Sequence, residues 1–244
     1  MPYPLLHLKN LSKRFGGVIA IDDMEMSIEA GTLSAIIGPN GCGKSTLFNV
    51  ICGAESADSG SVIFDQVDIS NKKAEEICKL GIGRKFQSPS VFEEMTVAEN
   101  IALPLIRFGV ATPQNISAED ILTKVGLIHK KEVLAGSLSH GEKQWLEISM
   151  VLIQSPKLIL LDEPTAGMTV GETQETVRLI KELNQTLQTT IIVIEHDIRF
   201  IQALDCPIYV LSAGHIVMKG SFEEVSSNPD VRALYFGKRE MSFA

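Results

Sequence analysis

Leu33-Ser-Ala-Ile-Ile-Gly-Pro-Asn-Gly-Cys-Gly-Lys-Ser-Thr46 joins an apolar run to a glycine-rich turn and a lysine followed by two hydroxyls. Residues 33–37 suit a strand buried on both faces of a parallel sheet, and a helix is expected over about 44–51. The eight residues from Gly38 to Ser45 match G-x-x-x-x-G-K-[ST], and they lie between strand and helix as that motif requires. Gly38, Gly41 and Gly43 let the backbone curl and turn its N–H groups inward without Cβ atoms in the way. The positive end of the following helix faces the same point. Gly38, Pro39, Asn40, Gly41, Cys42, Gly43, Lys44, Ser45 and Thr46 therefore read as a cradle for ATP. Lys44 reaches the β- and γ-phosphates, and the Ser45 hydroxyl ligates Mg²⁺. A chance glycine-rich turn does not account for the flanking pattern.

A phosphate cradle needs a carboxylate to hold Mg²⁺, ideally at the end of a neighbouring buried strand. Leu158-Ile-Leu-Leu-Asp-Glu163 supplies two. Asp162 is expected in the metal's shell through water, and Glu163 as the general base that polarises the attacking water. Cys42, inside the cradle beside Lys44, is expected to have thiolate character and to react with maleimides.

The rest of the chain alternates strand and helix. Strands are expected at 5–8, 24–28, 33–37, 61–64, 158–161, 191–194 and 208–211, with helices near 44–51, 74–80, 172–187 and 198–204. Between 97 and 154 the strand signal vanishes and apolar positions recur at helical spacing. These features predict a single α/β domain over 1–244, with a core of about 1–96 and 155–244 and a helical subdomain of about 97–154. No apolar run approaches the ~18 residues that span a bilayer, and the N-terminus lacks a basic segment followed by an apolar stretch. The formal charge of −8 argues against broad binding to nucleic acid or anionic lipid. The four cysteines form no CxxC pair, so reduced thiols are expected rather than zinc or disulfides.

Further segments fall in a recognisable order. Leu138-Ser-His-Gly-Glu142 opens a helix after a loop, with Ser139 placed to cap it. It resembles the ABC signature motif, usually Leu-Ser-Gly-Gly-Gln. His196 follows the next apolar strand, as the switch histidine of that superfamily does. Gln87, in Arg84-Lys-Phe-Gln-Ser-Pro89, resembles the glutamine loop, and Phe15 sits where the family stacks an aromatic ring on adenine. The chain is similar to ABC transporter ATPases over roughly residues 5–225.

That resemblance implies a P-loop NTPase fold of the ABC type: an α/β core with a mostly parallel sheet, N-terminal antiparallel strands and the helical insertion. It implies two such chains enclosing two ATPs head to tail. Ser139, His140, Gly141 and Glu142 would then meet the partner's ATP, Glu163, His196 and Lys44 would act in hydrolysis, and Ser45, Gln87 and Asp162 would hold Mg²⁺. The implied partners are integral membrane permeases, a second ATPase subunit making a heterodimer or homodimer, and, indirectly, a periplasmic or extracellular substrate-binding protein. The implied location is peripheral, on the cytoplasmic face of the bacterial inner membrane.

Leu11-Ser-Lys-Arg-Phe-Gly-Gly-Val-Ile-Ala20 resembles the branched-chain amino acid and urea importer group. Gly81-Ile-Gly-Arg-Lys-Phe-Gln-Ser-Pro-Ser-Val-Phe92, Leu138-Ser-His-Gly-Glu-Lys-Gln-Trp-Leu-Glu147 and Glu163-Pro-Thr-Ala-Gly-Met-Thr169 look most like its urea ATPases. Uptake of urea or a related small amide is the expectation, with branched-chain amino acids as the alternative. A soluble ABC ATPase of DNA repair or ribosomes fits less well, since these carry coiled coils or two ATPase domains. Three residues depart from the family pattern: His140 for glycine, Glu142 for glutamine, and Thr169 for the aspartate of the D-loop.

Overall fold

The computed structural model describes residues 3–86, 90–108 and 117–236. In chain order its strands are β1 (Leu6–Phe15), β2 (Val18–Ile28), β3 (Leu33–Ile37), β4 (Ser59–Phe64), β5 (Val67–Asp68), β6 (Ile82–Lys85), β7 (Leu158–Asp162), β8 (Thr190–Ile194), β9 (Ile208–Ser212) and β10 (His215–Gly220). The principal helices are α1 (Lys44–Ile51), α2 (Ala74–Leu80), α3 (Val97–Phe108), α4 (Ala118–Lys124), α5 (His140–Leu152), α6 (Val170–Leu187), α7 (Ile198–Leu204) and α8 (Phe222–Ser227).

Two sheets result. The first, ordered β2-β1-β4-β5, is antiparallel throughout. Its leading hairpin turns between Phe15 and Val18, with Gly16 left-handed at φ 56°, as a two-residue connection between right-twisted strands demands. The second sheet is ordered β10-β9-β3-β8-β7-β6, with every pair parallel except the edge pair β9–β10.

Strands β3, β7 and β8 are buried at every residue. The period of two divides them between two cores. Ala35, Ile159, Leu161, Ile191 and Val193 face α5, α6 and α7. Ile36, Leu158, Leu160, Ile192 and Ile194 face α1 and the antiparallel sheet. The central sheet is thus covered on both sides, and its continuous apolar strands are explained. Between β6 and β7 the described chain holds helices and no named strand.

Strand β6 was not among the expected elements. Its Gly83, Arg84 and Lys85 give it no apolar run, yet it pairs with β7 from Ile82↔Leu158 to Lys85↔Leu161. Lys85 is fully buried, 3.9 Å from the Glu147 carboxylate on α5. Burial pushes Glu147 up to about 7, although Lys85 and the backbone N–H groups of Phe86 and Ser90 favour its charge. Removing one partner of such a pair strands a buried charge, whereas removing both does not. Lys85→Met is expected to lower urea-unfolding stability by about 3 kcal/mol. Lys85→Met combined with Glu147→Gln should recover most of that loss.

Candidate functional site

The C-terminal edge of the central sheet gathers four loops: those after β3, β7 and β8, and the exit of β6. The loop after β3 wraps tightly because its glycines meet backbone rather than open space. A Cβ on Gly43 would lie 2.1 Å from the carbonyl oxygen of Ala20, and one on Gly38 would lie 2.1 Å from that of Leu211. The neighbouring strands β2 and β9 thus forbid side chains at both positions. Gly41 differs, since a Cβ at that position would meet nothing within 4 Å.

Lys44 is 94% buried at the mouth of α1, and its Nζ donates to the carbonyls of Gly38 at 2.8 Å and Pro39 at 3.0 Å. Burial pulls its ammonium below the usual lysine value, against the opposing charges of Glu163 and Asp162. No side chain caps α1, so the N–H groups of its first turn are left for an anion. Ser45 is exposed beside them, and Thr46 and Pro39 are half-buried. Phe15, at the tip of the first hairpin, is 45% exposed, with the Lys13 ammonium 5.1 Å from its ring centre.

Cys42 behaves contrary to expectation. It is buried, and that burial raises its thiol pKa in spite of Lys44 Nζ at 3.9 Å from the sulfur. Maleimide labelling followed by peptide mass spectrometry should therefore find Cys42 modified about tenfold more slowly than an ordinary exposed thiol. Labelling at the rate of a free thiol would contradict this burial.

Asp162 closes β7, and its Oδ2 accepts from Arg84 Nη2 at 3.0 Å, both side chains being 8% exposed. Burial raises its carboxyl pKa and Arg84 opposes that rise. Arg84 also donates to Asn49 Oδ1 of α1 at 2.6 Å, so one guanidinium joins the metal-binding candidate to the helix of the phosphate loop. Sequence reading missed Arg84, since its partners stand 35 and 78 residues away. Glu163 follows with a left-handed φ of 45°, an unfavourable conformation for glutamate. Its Oε1 lies 2.9 Å from Nε2 of His196, so two residues expected to act together do meet.

Behind them sits buried Glu195, also unforeseen. Its Oε1 accepts from the backbone N–H of Thr165 at 3.1 Å and from the Thr165 hydroxyl. Its Oε2 accepts from the N–H of His196 at 2.8 Å. It ties the loop carrying Glu163 to the loop carrying His196.

Ser139 caps α5 as expected, its hydroxyl accepting from Glu142 N at 3.2 Å. The Glu142 carboxylate in turn accepts from Ser139 N at 3.0 Å and pairs with Lys130 at 2.6 Å. Its carboxylate thus serves its own chain, in a capping box. Gly141 is buried, and His140 reaches the loop after β7. Asn40 is exposed, and Gln87 lies outside the described residues. Among the described residues no cluster of three His, Cys, Asp or Glu side chains forms an all-protein metal cage. The hydroxyl of Ser45 and the carboxylate of Asp162 are donors of the kind Mg²⁺ takes beside water and phosphate oxygens.

Residues 21–166 match the protein family described as ABC transporter. The chain belongs to the ABC transporter ATPase family. This ABC ATPase is 32% identical over 254 residues to the High-affinity branched-chain amino acid transport ATP-binding protein LivG of Escherichia coli K12, covering 98% of this chain and 100% of that one. It is 35% identical to a Probable branched-chain amino acid transport ATP-binding protein LivG of Methanocaldococcus jannaschii, covering 96% and 98% respectively. Its structure superposes with a TM-score of 0.86, at 34% identity, on the ADP conformation of an ATP-binding cassette of an ABC transporter, covering 97% of this chain and 100% of that one. The expected α/β fold with an N-terminal antiparallel sheet is therefore that of the family, and so are nucleotide binding and ATP hydrolysis. The expectation of urea finds no support in these relatives, whose names point to the alternative. No helix among the described residues is long and apolar enough to cross a membrane.

Proposed function

We propose that this ATPase drives the uptake of branched-chain amino acids through membrane permeases, working from the cytoplasmic face of the bacterial inner membrane. The observation that carries the reading is the likeness to LivG proteins along essentially the whole of both chains. Urea, suggested by the motifs at 81–92, 138–147 and 163–169, becomes the outcome the test must exclude.

The chain's own residues divide the work. The first turn of α1 and Lys44 hold the phosphates, with Lys44 exchanging its bonds to Gly38 and Pro39 for phosphate oxygens. Ser45 and Asp162, with Gln87, hold Mg²⁺, which when bound neutralises charge on the β- and γ-phosphates. Glu163 takes a proton from the attacking water, and His196 steadies Glu163 and the γ-phosphate end of the site. Phe15 offers its exposed face to adenine. Residues 139–142 complete the site of a second ATPase chain, and the helical segment 97–154 moves with nucleotide to transmit the stroke to the permeases.

We propose further that the second ATPase is a different protein, so that the working pair is a heterodimer serving an external substrate-binding protein. Reconstitution in liposomes with the permeases, binding protein and second ATPase tests both points. Leucine, but not urea, should stimulate hydrolysis and enter the vesicles, and omitting the second ATPase should abolish stimulation. Stimulation by urea alone would overturn the substrate reading. Full activity with this chain as the only ATPase would overturn the heterodimer.

A further inference from the structure

Two of the three departures from the family pattern, His140 and Thr169, stand in segments that are tied to each other. His140, in the signature segment, places Nε2 2.9 Å from the carbonyl oxygen of Ala166, in the loop between β7 and α6. Its ring packs on Gly167 so closely that a Cβ there would come within 3.1 Å of the imidazole. The Gln144 amide lies 3.2 Å from the same nitrogen and flanks the ring within α5.

Thr169 caps α6, its hydroxyl accepting from Glu172 N at 3.3 Å. Glu172 answers with Oε2, which accepts from Thr169 N at 2.9 Å and from the Thr169 hydroxyl at 2.8 Å. Its second oxygen, Oε1, accepts from the hydroxyl of Ser139 at 3.3 Å. A Cβ on Gly141 would lie 2.5 Å from that oxygen, so the signature glycine is bare where the carboxylate rests on it. Two separate ties thus join the start of α5 to the loop and cap of α6.

We infer that His140 and Glu172 are positioning residues of an intramolecular latch, which makes the signature segment and the D-loop move as one unit. A glycine at 140 has no donor to reach Ala166, so the generic motif lacks the first tie. Histidine supplies one as the imidazolium or as the neutral Nε2–H tautomer, each of which donates from that nitrogen. The latch rests on the reading of 139–142 as the part that meets a second chain's nucleotide. Its consequence is that displacement of the D-loop is felt directly at that nucleotide.

Hydrogen–deuterium exchange on the full-length chain, without permeases, tests the latch. His140→Ala should speed exchange of the amides at 165–169 at least fivefold while leaving strand residues 33–37 at the parent rate. His140→Gln, whose amide supplies a donor, should return the loop to within twofold of the parent. Glu172→Gln, which replaces one acceptor oxygen by a donor, should speed exchange at both 139–142 and 165–169. Parent-like exchange at 165–169 in His140→Ala would overturn the latch, and so would equal loss in His140→Gln. A rise spread over 33–37 as well would replace it with general loosening. None of these measurements involves a transported substrate, so the latch and the importer reading stand or fall separately.

Discussion

Glu163→Gln is expected to bind ATP with parent affinity and to hydrolyse it about 10²- to 10⁴-fold more slowly, the range that one positioned general base contributes. The shape of the site survives this change. Glutamine keeps an oxygen for the Nε2 of His196, which lies 2.9 Å from the Glu163 carboxylate. Thr165 and the N–H of His196 remain fixed by Glu195. What is lost is the capacity to take a proton from water. Single-turnover hydrolysis, measured beside equilibrium binding, separates the two quantities. Parent-like turnover would remove Glu163 from the role of base. Loss of binding would mean that its charge holds the loop together rather than acting in the chemistry.

Lys44→Ala should show the opposite profile. A charged hydrogen-bond partner of the β- and γ-phosphates is worth about 1.5–3 kcal/mol, so nucleotide affinity should fall roughly 10- to 100-fold in calorimetry. The lysine also holds the loop in shape through Gly38 and Pro39, at 2.8 and 3.0 Å, which adds to the loss. Lys44→Arg should not rescue binding. A planar guanidinium needs more width than this buried position, 6% exposed, allows. Parent-like affinity in Lys44→Ala would contradict its contact with phosphate.

The phosphate loop was legible because its chemistry is local: glycines, lysine and hydroxyl stand within eight consecutive residues, and the flanking strand and helix announce themselves by composition. The buried strands β3, β7 and β8 were legible for the same reason. Strand β6 was not, because Arg84 and Lys85 point polar groups to the two sides of the sheet and erase the apolar run. The edge strand β10 was missed because it alternates half-buried and exposed residues beyond the last apolar run. Contacts between distant residues left no local trace: Arg84 with Asp162, Thr165 with Glu195, His140 with Ala166. Cys42 shows the same gap from the other side, since its neighbours in sequence suggested reactivity while the fold around it supplies burial. The family pattern located residues 139–142 but gave no reason for a histidine among them.

Strand β3, which leads into the phosphate loop, lies between β8 and β9, so its neighbours on both sides are made more than 150 residues after it. On a ribosome adding about 5–20 residues per second, that delay amounts to roughly 8–30 s. Throughout it, five residues destined to be fully buried have no parallel partner, and an unpaired apolar edge of this kind invites association with other chains. Nucleotide gives no help in that interval. It stabilises only a protein whose binding site already exists, and here the site closes when β9 docks. High contact order of this sort slows folding, and chains cut short before about residue 212 should aggregate even in saturating ATP.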